Sequence, residues 1–155
     1  MTTPIVLRGG CACAHIRYTS TTLPTSMTNC ACIQCRKASG SPYQTFASFP
    51  TPAITWDSNR EPKYFKSSSF ARRGFCDRCG SSLLFQMDKS PEIISLAAGS
   101  IDDWDVKELR KPDVYYWLKE KATWWDVPEN EARKCEVYPE EEMEEELRLR
   151  DGVPV

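Results

Sequence analysis

The chain has no surplus of positive charge: 20 basic residues stand against 22 acidic ones, for a formal charge of -2 at pH 7. Nothing in that balance builds the positive field that draws in nucleic acid or an anionic membrane. An apolar run long enough to cross a bilayer is also missing, and Met1 to Arg8 show no basic segment leading into a long apolar stretch. The expectation is a soluble, unsecreted, cytoplasmic protein that binds neither nucleic acid nor membrane. Histidine is reduced to the single His15, and no internal repeat is visible. At 155 residues, 41% of them hydrophobic, the chain is long enough for one domain with a core and short for two.

Cysteine, by contrast, is plentiful, with eight in the chain. Exported small domains use such numbers for disulfides, but the spacing here argues for metal. Residues two or three apart, as in Cys11-Ala-Cys13 and Cys76-Asp-Arg-Cys79, are poorly placed to crosslink distant parts of a fold and well placed to grip one ion. Each of these pairs sits at a turn, with Gly9-Gly10 before the first and Gly80 after the second. Together they supply the four thiolates of a closed, structural zinc site, an exchange of partners with the next cluster being the alternative.

That next cluster, Cys30-Ala-Cys32-Ile-Gln-Cys35, places three thiols within six residues, with no fourth cysteine or histidine nearby in sequence. Three protein ligands and one exchangeable position make the pattern of a catalytic zinc; the alternative is a second structural zinc closed by Cys135 or His15. Three thiolates outweigh the dication, so such a site acidifies water weakly and suits a soft ligand. A substrate thiol would bind there as thiolate and still attack carbon. Arg36 and Lys37 follow directly and either offset the negative charge and attract a carboxylated thiol or stand exposed and inert. Cys135 and His15 read as an ordinary thiol and an ordinary hydrogen-bonded histidine.

The first four fifths of the chain read as short strands: Ile16 to Ser20, Tyr43 to Phe49, Lys63 to Lys66, Leu83 to Met87 and Ile93 to Ala97, bounded by Gly, Pro, Ser or Asp. The fold class expected is mainly β, predominantly antiparallel, with short helices, the best core candidate being Ile33 to Ser39 ended by Gly40. Residues 1–135 form the zinc domain in this reading, and 136–155 an acidic helix or tail. There Pro139 opens a run with six glutamates and i to i+4 pairs at Glu144–Arg148 and Glu146–Arg150. Trp124, Trp125 and Tyr115-Tyr116-Trp117 are read as core or interface, with a pocket wall or a homodimer contact as further uses.

Taken in order, four segments resemble the glutathione-dependent formaldehyde-activating enzyme family, also called the GFA or CENP-V-like family. They are Gly9-Gly10-Cys11-Ala-Cys13 with Ile16-Arg17-Tyr18, Cys30 through Gly40, Phe75 through Leu83, and Ala98 through Asp103; Lys119 to Trp124 extend the match, which covers roughly residues 8 to 128. The chain departs from the common pattern within Val114 to Trp117, where a histidine often stands, and in its acidic tail. The resemblance implies an Mss4-like β fold stapled by zinc. It also implies two zinc ions, structural at Cys11, Cys13, Cys76 and Cys79 and catalytic at Cys30, Cys32 and Cys35. The implied activity is a carbon–sulfur lyase or synthase acting on glutathione or its adduct, as in the formation of S-(hydroxymethyl)glutathione. Arg36, Ser39, Tyr43 and Gln44 are candidate proton donors by their nearness in sequence. A non-catalytic binding or chaperone module is the competing function, and sulfoxide chemistry, which needs a redox cysteine outside the metal shell, has only Cys135 to offer.

Overall fold

A computed structural model describes residues 4–57, 60–102, 106 and 108–138. The acidic run from Pro139 to Arg150, expected as a surface helix or tail, lies outside the described residues. The chain folds as two compact units, one of residues 1–27 and 46–111, the other of 28–45 and 112–155. It passes between them within two strands and at Lys111–Pro112.

The first unit is built on two sheets. Strands β1 (Leu7–Gly10), β2 (Arg17–Ser20) and β5 (Ile54–Trp56) form an antiparallel sheet in the order β1-β2-β5, with Gly9 opposite Tyr18 and Tyr18 opposite Trp56. The second sheet runs antiparallel through β4 (Gln44–Pro50), β9 (Ile93–Ala97), β8 (Ser82–Met87), β7 (Ala71–Phe75) and β6 (Lys63–Lys66). Leu7, Tyr18, Met27, Ala47, Phe49, Leu84, Ile94, Leu96 and Ile101 make its core. On β2, Tyr18 and Ser20 are buried while Arg17 and Thr19 are half-buried, an alternation that fixes its register; β6 is exposed throughout.

Three glycines are required by close approach, and at Gly10 a side chain would run into the Ile16 carbonyl oxygen. A side chain at Gly74, where the β7–β8 register shifts, would meet Leu84 Cγ at 2.8 Å. One at Gly9 would press into the Tyr18 ring and the carbonyl oxygen of Ser100, the latter at 2.5 Å. Ser100 Oγ donates to the Ala97 carbonyl at 2.7 Å, so the shared bond of 2.9 Å between the two hydroxyls has Tyr18 as its donor. Burial pushes the Tyr18 hydroxyl well above its usual pKa. Gly9, Tyr18 and Ser100 therefore tie the start of the first cysteine loop to the core.

The second unit centres on the end of β3 (Ser26–Cys30), helix α1 (Ile33–Ser39), β10 (Val114–Tyr116) and β11 (Arg133–Lys134). Here the pairing is parallel: Tyr115 and Tyr116 face Asn29 and Cys30, while Val114 and Tyr115 face Arg133 and Lys134. The predominantly antiparallel expectation thus gives way locally, because β10 arrives by a long connection rather than a hairpin. Helix α1 has the expected bounds. Gly40 ends it at φ 66, its amide donating to the Arg36 carbonyl at 2.8 Å, and Arg36 and Lys37 lie in the last turn, where the helix dipole favours cations. Tyr43, Tyr115 and Trp125 pack ring against ring with centroids 5.1 to 6.1 Å apart. Tyr115, Tyr116 and Trp117 are buried, whereas Trp124 is 72% exposed. Among the described residues no helix is long and apolar enough to cross a membrane.

Replacing Gly9 by alanine is expected to cost about 3 kcal/mol and lower Tm by roughly 10 °C. Tyr18→Phe, which loses only a buried hydrogen bond, is expected to cost about 1 kcal/mol. Thermal unfolding of the two variants checks the order; equal melting of Gly9→Ala and the wild type would show that the close approach does not carry stability.

Candidate metal centres

Two loops of the first unit bring four thiols together. In the first loop the Cys11 amide donates to the Ile16 carbonyl at 3.0 Å, the Ala14 amide to the Cys11 carbonyl at 3.0 Å, and the Ile16 amide to Cys11 Sγ at 3.2 Å. In the second, the Cys76 amide reaches the Ser81 carbonyl at 3.0 Å and the Gly80 amide the Cys76 carbonyl at 2.8 Å. Gly80 takes φ 75 to close that turn, as the sequence anticipates for a glycine there; Ala14 closes the other at φ 58. The sulfurs of Cys11, Cys13, Cys76 and Cys79 all lie within 4.8 Å of one another.

These distances can be compared with what an ion requires. Four sulfurs at the usual zinc–thiolate length of about 2.3 Å, arranged tetrahedrally, stand about 3.8 Å apart. Cys11 and Cys13 are separated by 3.6 Å, and Cys13 and Cys76 by 3.9 Å. The donor set and its spacing fit a tetrahedral thiophilic ion. Cys11 and Cys76 are buried among Ile16, Leu83 and Trp56, and Cys13 and Cys79 are exposed.

Ser81 escaped the sequence reading as a site residue. Its hydroxyl accepts the Ala12 amide of the first loop at 3.1 Å and lies 3.2 Å from Cys79 Sγ in the second. Hydrogen bonds from the Ser81 side chain and backbone, and from the Cys13 backbone, pull the Cys79 thiol down to about 5. Cys13 moves the other way, up to about 11: a backbone bond from His15 lowers it but is outweighed by burial and the neighbouring thiols. Burial also pushes up Cys76. A hydroxyl two residues after a cysteine, beside a glycine, was the available signal for Ser81.

The second unit holds Cys30, Cys32 and Cys35, whose sulfurs likewise lie within 4.8 Å of one another. Cys30 ends β3, Cys32 is the extended N-cap of α1, and Cys35 lies in the helix with its amide donating to Cys32 Sγ at 3.3 Å. Bonds to the Cys32 and Cys35 thiols, followed by burial, push Cys30 well above the usual thiol range. No other described Cys, His, Asp or Glu joins this cluster. Cys135 is elsewhere, its amide donating to the Tyr115 carbonyl at 2.9 Å, and His15 sits in the first loop with Nδ1 buried and unpartnered.

Around the three thiols, Ser39 Oγ donates to the Cys35 carbonyl at 2.8 Å, Tyr43 belongs to the aromatic cluster and Gln44 is buried. Arg36 Nε is buried without a hydrogen-bond partner. Glu120, which sequence reasoning passed over, accepts the Ile33 amide at 2.8 Å.

Residues 6–120 match the family model described as glutathione-dependent formaldehyde-activating enzyme. A Halomonas elongata protein provisionally named as such an enzyme is 27% identical over 161 residues, covering 96% of this chain and all of its own length. An uncharacterized lyase of Schizosaccharomyces pombe is 32% identical over 77 residues, covering 50% of this chain and 55% of its own. A crystal structure of a Rhodobacter sphaeroides protein superposes with a TM-score of 0.51 at 18% identity, over 66% of this chain and 96% of that one, and bears on the fold alone.

Metal loading is expected to be proton-coupled. At pH 7 Cys79 is already thiolate, while Cys13, Cys76 and Cys30 must shed protons to bind an ion. Affinity therefore falls as pH drops below neutrality, and loading the metal-free protein with zinc at pH 7 releases at least three protons per chain. Proton release read with an indicator dye during zinc titration checks this; loading without proton release would contradict it.

Proposed function

The chain belongs to the glutathione-dependent formaldehyde-activating enzyme family, and on that premise we propose that it is a cytoplasmic, zinc-dependent carbon–sulfur lyase or synthase acting on glutathione or a small glutathione adduct. The supporting observation is the gathering of Cys30, Cys32 and Cys35 with no further described ligand in their cluster. In this reading Cys11, Cys13, Cys76 and Cys79 hold a structural zinc, and Cys30, Cys32 and Cys35 hold a catalytic one. A zinc held by these three cysteines would supply Lewis acidity that lowers the pKa of a substrate thiol.

The reaction balances without a further co-reactant. In the synthetic direction the thiol S–H bond breaks, sulfur bonds to the aldehyde carbon, and the carbonyl oxygen ends as a hydroxyl carrying the proton. The reverse restores thiol and aldehyde. What the chain contributes is placement. Cys32 Sγ accepts the Cys35 amide at 3.3 Å, so two of the ligands hold each other at the start of α1. Arg36, next to Cys35, carries a fixed positive charge and a buried Nε without an acceptor, which suits the carboxylate of a glutathione-like thiol. The Ser39 hydroxyl is committed to the Cys35 carbonyl and secures the end of the helix rather than the reacting atoms.

Cys35→Ser is expected to reduce bound zinc from two ions to one per chain and to lower S-(hydroxymethyl)glutathione formation from glutathione and formaldehyde at least about 100-fold. Metal content by mass spectrometry and product formation by NMR, corrected for the spontaneous reaction, check this. A wild type with one zinc, or a variant with unchanged metal and turnover, would sink the reading.

A further inference from the structure

We propose that Glu120 is a positioning residue of the three-cysteine cluster: its carboxylate, delivered by the left-handed turn at Trp117, clasps the loop from Cys30 to Ile33 and keeps the thiols gathered for a metal ion. The inference rests on reading that cluster as a metal site.

Three contacts carry it, in chain order on both partners. Tyr116 pairs with Cys30 in the β10–β3 ladder. The Tyr116 carbonyl accepts the Ala31 amide at 2.9 Å. Glu120 Oε2 then accepts the Ile33 amide at 2.8 Å. Tyr116 and Glu120 thus hold the two ends of the segment from Cys30 to Ile33, and Cys30 and Cys32 stand on it. Cys35 is joined to it through its amide bond to Cys32 Sγ.

The Ile33 amide lies in the first turn of α1, where it has no intrahelical acceptor. No acidic residue occupies that turn, and the N-cap thiol of Cys32 is engaged by Cys35, so the acceptor comes from 87 residues away. The hook that brings it is costly to form. Trp117 adopts φ 61, ψ 40, a left-handed conformation that a bulky residue takes only when its surroundings impose it. Here the surroundings are burial of Trp117 and two backbone bonds, Leu118 amide to Cys135 carbonyl and Lys119 amide to Glu136 carbonyl, each 3.1 Å. A turn meant only to end β10 needs no such strain at a tryptophan; one that returns residue 120 to α1 does. Hydrogen bonds behind the ligands fix their orientation and tune their affinity for an ion.

The test is titration of the metal-free full chain with cobalt(II), following thiolate-to-cobalt absorption, with zinc affinities from chelator competition. The wild type is expected to take two ions. Glu120→Ala should keep one tight ion and bind the other about 10- to 100-fold more weakly. Glu120→Gln, which retains an oxygen for the Ile33 amide, should recover most of the loss. Three results would overturn the inference while leaving the metal reading standing: wild-type affinity for both ions in Glu120→Ala, equal weakening of both, or Glu120→Gln as weak as Glu120→Ala. A wild type that binds a single ion would overturn the metal reading and this inference with it.

Discussion

Four sulfur atoms held within 4.8 Å of one another cannot all carry negative charge unless a cation sits among them. That electrostatic constraint governs the first unit. Cys79 ionises readily because Ser81 and backbone amides solvate its sulfur, and Cys11 is drawn down by the Ile16 amide in spite of its burial, whereas Cys13 and Cys76 are held up by burial and the neighbouring thiols. An ion held there would remove the conflict and tie the loop after β1 to the loop after β7. Since Cys11 and Cys76 are also packed with Ile16 and Leu83, the electrostatic clamp and the apolar packing are one structure. Loss of either loosens the other.

Ordinary packing holds the loops for that clamp. The β1–β2 pair approaches so closely at Gly9 that the Tyr18 ring lies over bare backbone, and the Tyr18 hydroxyl reaches Ser100 behind it. Arg17, one residue earlier, forms an ion pair with Asp102, and the Asp102 amide donates to the Arg8 carbonyl at 2.9 Å. The chain on both sides of the first cysteine pair is thereby fixed to the segment after β9. The four thiols are thus placed by residues outside their cluster.

Local signals were legible in the sequence; relations across the chain were not. Helix α1 could be read because Gly40 supplies the left-handed residue that ends it, and the two cysteine groups because ligand spacing within a loop is short. Strand β7 could not, since its inward position is Arg73, only 4% exposed, with its guanidinium 5.1 Å from the Phe85 ring and 5.9 Å from the Phe46 ring. A charged residue at a buried position inverts the alternation on which strand recognition depends. Glu120 was hidden for another reason: its partner is a backbone amide, which leaves no mark in the sequence. The role of Ser81 depends on a loop that lies 69 residues away in sequence.

The two clusters also differ in what their surroundings do with charge. In the first, four thiolates against a dication would leave two net negative charges, spread over two loops with Cys13 and Cys79 facing solvent. In the second, three thiolates would leave one, beside a helix that carries Arg36 and Lys37 and no acidic residue in its first turn. Glu120 adds a negative charge there, but the Ile33 amide at the positive end of the helix partly balances it. An electron-rich centre of this kind lowers the pKa of bound water less than a histidine site does, so hydroxide is a poor occupant. A thiol loses its proton far more easily and remains a nucleophile afterwards. Between water and sulfur, the chemistry of the donor set favours sulfur.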